Sequence, residues 1–127
     1  MLGELTQNDQ YVIADLEAGI GTLLRMNAGQ ADVVLVIAEP SAKSIEVGRR
    51  AANIATDKAR VIVVANRIRS DEEFDEVRVA FEGHEIWRVP EDPGIAEADR
   101  RGEAPIDVAS GGPGVAALLD LGKHLTK

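Results

Sequence analysis

Two uninterrupted apolar runs, VVLVIAE at 33–39 and VIVVAN at 61–66, constrain this chain more than any other feature. Both are rich in β-branched residues and lack the alternation of a strand with one wet face. Each therefore predicts a strand covered on both sides, as in a parallel sheet. Parallel neighbours need a long crossover, and SAKSIEVGRRAANIATDKA (41–59) supplies a helical one, with Ile45, Ala52 and Ala55 on one face and Ser41 capping its start. Two further runs, YVIAD (11–15) and EIWRVP (85–90), predict two more strands. SDEEFDEVRVAFEG (70–83) reads as a helix opened by a capping box of Ser70 and Glu73, with Phe74, Val77 and Phe81 inward and Gly83 at its end. IAEADRRG (95–102) ends on another glycine, and GPGVAALLDLGKHL (112–125) predicts a helix starting near Pro113 with Val115, Leu118, Leu119 and Leu125 inward. Residues 90–94 and 103–112 read as loops. The alternation βαβαβαβα predicts one α/β domain over 1–127, three-layered around a mainly parallel sheet with right-handed crossovers.

Composition bounds the function. A chain of 127 residues supports one core, and with aromatics at only 3% that core is built from Val, Ile, Leu and Ala. A net charge of −8, from 14 basic and 22 acidic residues, disfavours a nucleic-acid surface, which needs clustered cations. The absence of cysteine removes disulfides, thiolate metal sites and thiol nucleophiles. MLGELTQNDQ has neither the basic flank nor the apolar stretch of a signal peptide, and no run is long enough to span a membrane, so the expectation is a cytoplasmic protein with no membrane partner.

Ligands of parallel sheets sit outside the carboxyl ends of the strands, here Asp15 to Gly21, Glu39 to Ser41, Asn66 to Arg69 and Pro90 to Pro93. Asp15 is placed to hold a water on Mg²⁺, and the Gly19 N–H to meet a terminal phosphate; a solvated strand end followed by a tight turn is the plainer account. Asn66 and Arg67 offer an amide to a purine edge or simply cap a strand, and PEDP (90–93) either wraps a base or makes an ordinary proline turn. The acids of DEEFDE (71–76) suit a helix amino terminus better than a cation. His84 and His124 stand in no ligand spacing, no serine lies in a nucleophile elbow, and SGGPG (110–114) reads as a loop feeding a helix. None of Lys43, Lys58, Lys123 and Lys127 lies in a GxxxxGK[ST] frame, so these residues contain no P-loop.

Taken together, DLEAGIG (15–21), EPSAKSIEVGRRAANIA (39–55), VVANRIR (63–69) and VPEDPGIAEADRRGEAP (89–105) resemble the C-terminal half of the deviant-Walker ATPases, the MinD/ParA group, and within it the CooC-like carbon monoxide dehydrogenase maturation ATPases. The resemblance runs from about Tyr11 to the end. It implies a P-loop NTPase-like fold lacking the P-loop strand, with Asp15 as the Walker B aspartate and magnesium ligand, and Glu17, Ala18 and Gly19 in the γ-phosphate-sensing segment. Asn66 and Arg67 match the adenine-reading strand end, and Pro90, Glu91 and Asp92 the loop beside the base. Family members bind ATP with Mg²⁺, dimerise around nucleotide and couple hydrolysis to metal insertion or partner positioning. The P-loop strand, which in the family lies between the strands matching 11–15 and 33–39, would precede residue 1. The expectation is therefore a chain with little or no ATPase activity by itself, in which ATP and Mg²⁺ are the family's ligands and this chain alone holds nucleotide weakly at best, through base-side contacts at Asn66 and Pro90, or not at all. Its missing strand is made good by a homodimer sharing sheet edges or by a P-loop-bearing partner, with a metalloenzyme as client. A non-enzymatic interaction or dimerisation module on the same Rossmann-like scaffold is the alternative; a phospho-acceptor receiver domain fits poorly, because no lysine ends a strand.

Overall fold

The computed structural model describes residues 10–16 and 20–127. Its centre is a three-stranded parallel sheet of β1 (Val33–Ala38), β2 (Arg60–Ile68) and β3 (Glu85–Pro90), in spatial order β1-β2-β3. Val33 pairs with Arg60 through to Ala38 with Ala65, and Ile62 pairs with Glu85 through to Ala65 with Arg88. Six helices surround it among the described residues: α1 (Ile20–Arg25), α2 (Ala42–Ala55), α3 (Asp71–Ala80), α4 (Pro93–Arg101), α5 (Pro105–Val108) and α6 (Pro113–Leu125). None is long and apolar enough to cross a membrane.

The layers follow from side-chain size. On one face, Val36, Ala38, Val63 and Ala65 meet Ala52 of α2 with Val77 and Phe81 of the α3 region. Gly48 lets that approach happen, since a Cβ there would lie 2.9 Å from Phe81 Cζ. On the other face, α6 lays Leu121, Ala117 and Leu125 over Val64, Trp87 and Val89. A third cluster joins Leu23 and Met26 to Ala55 beneath Val34 and Val61. The three-layer α/β architecture is thus as expected.

The predicted caps hold with one change. Ser41 accepts from Ser44 N, and Ser70 accepts from Glu73 N, but the Glu73 carboxylate bonds Arg69, through its backbone N–H at 2.8 Å and its guanidinium, instead of closing a box on Ser70. An adjacent guanidinium offers a charge-assisted bond that a lone backbone amide does not. Leu118 and Leu119 face solvent, not the core, because the stripe that meets the sheet runs through Gly114, Ala117, Leu121 and Leu125 at helical spacing. The loop read over 103–112 contains the single turn α5, and the helix read from 95 starts at Pro93.

The larger correction concerns residues 11–15. They form no strand: Tyr11, Val12 and Ile13 are exposed, Ile13 at 96%, and no ladder joins the segment to β1. A strand exists only by pairing, and among the described residues no ladder joins 11–15 to another segment. The segment is held instead by Tyr11 Oη donating to Thr126 O at 3.1 Å and by Leu16 packed against the Leu23–Met26–Ala55 cluster.

Candidate functional site at the carboxyl ends of the strands

Parallel strands end together, and here their ends carry charge. β2 leaves the regular ladder after Ala65 and resumes pairing at Ile68, opposite Pro90, while Arg67 between them takes φ 57°. It is the one non-glycine residue with positive φ among the described residues, a conformation that costs an ordinary side chain about 1–2 kcal/mol. The turn aims the guanidinium along the rim, where it donates to Glu39 Oε1 beyond β1 (3.4 Å) and to Glu91 Oε1 beyond β3 (3.2 Å). The three strand ends are thereby tied by one exposed cation. Beside it, Asn66 is half-buried and its side chain has no hydrogen-bond partner among the described residues. Glu91 N donates to Ile68 O at 3.0 Å, which fixes the Pro90–Glu91 peptide next to the kinked strand end.

Asp92, only 8% exposed, has a structural task. Its Oδ1 accepts from Gly94 N at 2.9 Å and caps α4; its Oδ2 accepts from Gly114 N at 3.0 Å and Val115 N at 3.3 Å at the start of α6. α6 has no cap of its own, since Gly112 stands at that position. One carboxylate therefore serves two helix amino termini, where both orphan N–H groups and the helix dipoles favour it. SGGPG explains itself here: a Cβ on Gly112 would collide with the carboxylate, and one on Gly114 would lie 2.7 Å from Asp92 Cβ. Sequence reading found both PEDP and SGGPG but not that the second is shaped around the first.

Of the candidate residues, the fold brings Asn66, Arg67, Pro90, Glu91 and Asp92 to one rim. Glu17 and Gly19, with Ala18, lie outside the described residues. Asp15 is exposed and no hydrogen bond or ion pair joins it to the rim among the described residues; its neighbour Leu16 packs on the cluster whose strand residues, Val34 and Val61, stand near the starts of β1 and β2. The reason is the missing ladder: without pairing, nothing carries residue 15 along β1 to the carboxyl end. No group of three metal-ligating side chains is present among the described residues.

This donor set fits one end of a nucleotide better than the other. A neutral purine edge can meet the Asn66 amide and the fixed Pro90 turn. A triphosphate is opposed by Glu39 and Glu91, which outnumber Arg67, while the oxygens of Asp92 are engaged by backbone amides. The described residues do not fit Mg-ATP phosphates unaided.

No protein-family model matches the chain. The fold is similar to that of the MinD cell division protein of Aquifex aeolicus, with a TM-score of 0.62 and 25% identity over 76% of this chain and 44% of that one. An uncharacterized ATP-binding protein of Methanocaldococcus jannaschii is 30% identical over 70 residues, 54% of this chain. The chain spans about a quarter of the length of that curated relative, 27%. The architecture is thus that of a MinD-like P-loop NTPase fold, with three parallel strands and flanking helices.

Proposed function

We propose that these residues form the base-side part of a MinD/ParA-like nucleotide-binding domain, with little or no ATPase activity alone. The observation that carries this reading is the rim itself: an Asn66 amide with no hydrogen-bond partner among the described residues, beside a strained Arg67 and a pinned Pro90 turn, at the strand ends of a MinD-like fold. The likeness to an ATP-binding protein supports it. Contacts to a base alone hold a ligand in the millimolar range, about −4 kcal/mol. Titration calorimetry is therefore expected to find adenosine and Mg-ATP binding within about threefold of each other, and Asn66→Ala abolishing both. Mg-ATP bound more than tenfold tighter than adenosine would show that phosphate recognition survives; binding of neither would leave the non-enzymatic interaction module.

Phosphate recognition, in this proposal, comes from a P-loop-bearing polypeptide that adds a strand beside β1. Support comes from β1 itself, VVLVIA, which has no charge, proline or bulge to guard its edge. Leu35 (39% exposed) and Ile37 (54%) are also bare on the face that α6 covers only over β2 and β3. Antiparallel pairing of β1 with its copy would set two more bare side chains on the same face, so this observation favours a strand-and-helix partner over the homodimer. Sedimentation equilibrium is expected to show a monomer up to high concentration; a tight dimer would refute the preference. The CooC-like resemblance adds metal insertion into a client enzyme as the role of the completed domain.

A further inference from the structure

At the opposite end of α6 lies a cluster that the nucleotide reading does not use. His124 Nε2 stands 2.9 Å from Glu85 Oε2 and 3.1 Å from the Arg60 guanidinium, and its ring lies 4.9 Å from the Trp87 ring at a 42° tilt. Glu85 is itself shared: Oε1 accepts from Arg60 at 2.6 Å and Oε2 from the Trp87 indole at 3.0 Å. One ring nitrogen therefore faces a carboxylate and a guanidinium together. It donates to the first when it carries a proton and accepts from the second when it does not, but it never does both.

We propose that His124 is a pH-set latch that fastens the last turn of α6 to β3. With both ring nitrogens protonated, Nε2–H is committed to Glu85, and Arg60 keeps its separate bond to the other carboxylate oxygen. Loss of either proton removes the charge from that contact, and loss of the Nε2 proton frees that nitrogen to accept from Arg60. The groups facing the imidazole are Arg60 of β2 with Glu85 and Trp87 of β3; Lys123 precedes it on α6, and the Tyr11 hydroxyl donates to Thr126 O two residues on. Indole and guanidinium hold Glu85 ionised across the range in which an imidazole titrates: hydrogen bonds from Trp87 and then Arg60 keep it below the ordinary glutamate value. The latch joins the site described above through a single rod. His124 is ten residues along α6 from Gly114, about 15 Å, and Gly114 is where Asp92 grips the same helix. The proposal does not rest on nucleotide binding.

The chain has one tryptophan, so Trp87 reports the latch without labelling. Emission of the full chain is expected to fall along a single-proton curve as pH drops through the imidazole range, because an imidazolium quenches an adjacent indole. Protection factors for amides of 121–126 are expected to rise by roughly threefold over the same range, the scale of a half-exposed ion pair. His124→Gln flattens both curves. Glu85→Gln keeps the emission change and loses the protection change, and His84→Gln leaves both as they were. A flat wild-type emission curve, a curve that persists in His124→Gln, or protection in α6 that ignores pH would each overturn the latch.

Discussion

Replacing Asp92 by alanine removes three hydrogen bonds from the amino ends of two helices, and the structure sets the scale of the loss. The cap on α4 at Gly94 N is worth about 1 kcal/mol. The Gly114 and Val115 amides at the start of α6 are buried against the missing carboxylate, so they lose their partner without gaining water. Leaving such donors unsatisfied costs about 1–3 kcal/mol. With two such donors and the cap the sum is at least about 3 kcal/mol, a large share of the roughly 5–15 kcal/mol that holds a domain of this size. Asp92→Asn keeps one oxygen, so it satisfies either α4 or α6 and turns an NH₂ toward the other; the expected loss is about 2 kcal/mol. Urea unfolding followed by Trp87 emission and by far-UV dichroism measures both. If Asp92→Ala loses less than about 1 kcal/mol, the carboxylate is an ordinary exposed cap and the two helices are not joined through it. The same would follow if Asp92→Asn matched wild type. Gly112→Ala tests the converse, since its Cβ would occupy the carboxylate's place, and it is expected to destabilise although residue 92 is unchanged.

Three other perturbations follow from the packing and the charges. Gly48→Ala gains helix propensity of about 1 kcal/mol but drives a Cβ to 2.9 Å from Phe81 Cζ, inside a core where overpacking costs about 1–3 kcal/mol; a net loss of about 1 kcal/mol in chemical denaturation is expected. Arg67→Gly relieves the left-handed backbone and sacrifices two exposed ion pairs of little worth, so the melting temperature is expected to hold or rise, while Arg67→Val lowers it. Glu85 has a folded pKa below its unfolded one, first through the Trp87 indole and then through Arg60. Its contribution to stability is therefore complete above the ordinary glutamate value of about 4.3 and is lost as pH falls through the lowered one. Glu85→Gln is expected to shrink the acid limb of a stability-versus-pH curve and to lower the plateau above it.

What could be read from the residues, and what could not, divides along a physical line. β1, β2, α2 and α3 were legible because each declares itself locally: unbroken β-branched runs, a serine cap, an apolar stripe at helical spacing. The rim was legible because parallel strands must end together, which placed Glu39, Asn66 and Glu91 at one edge before any contact was known. Relations between distant residues were not. Nothing in PEDP announces that its aspartate reaches 22 residues ahead to Gly114, and nothing in ANRI announces an arginine at positive φ, a conformation forced by the strand end and not by arginine's own preference.

The run at 11–15 and the run at 33–38 are the instructive pair, because their composition and their surroundings disagree. YVIAD has the residues of a strand and, among the described residues, no ladder partner; VVLVIA has the residues of a strand buried on both faces, yet shows Leu35 and Ile37 to solvent and, among the described residues, pairs on one side only. Composition records the environment in which a segment is stable, whereas the ladder records the partner actually beside it. One added strand between the two runs, with a helix over Leu35 and Ile37, would satisfy both at once. It would also give residue 15 a ladder to follow toward the rim where Asn66 and Arg67 already stand. The disagreement of both segments with their surroundings thus has a single cure, an added strand beside β1.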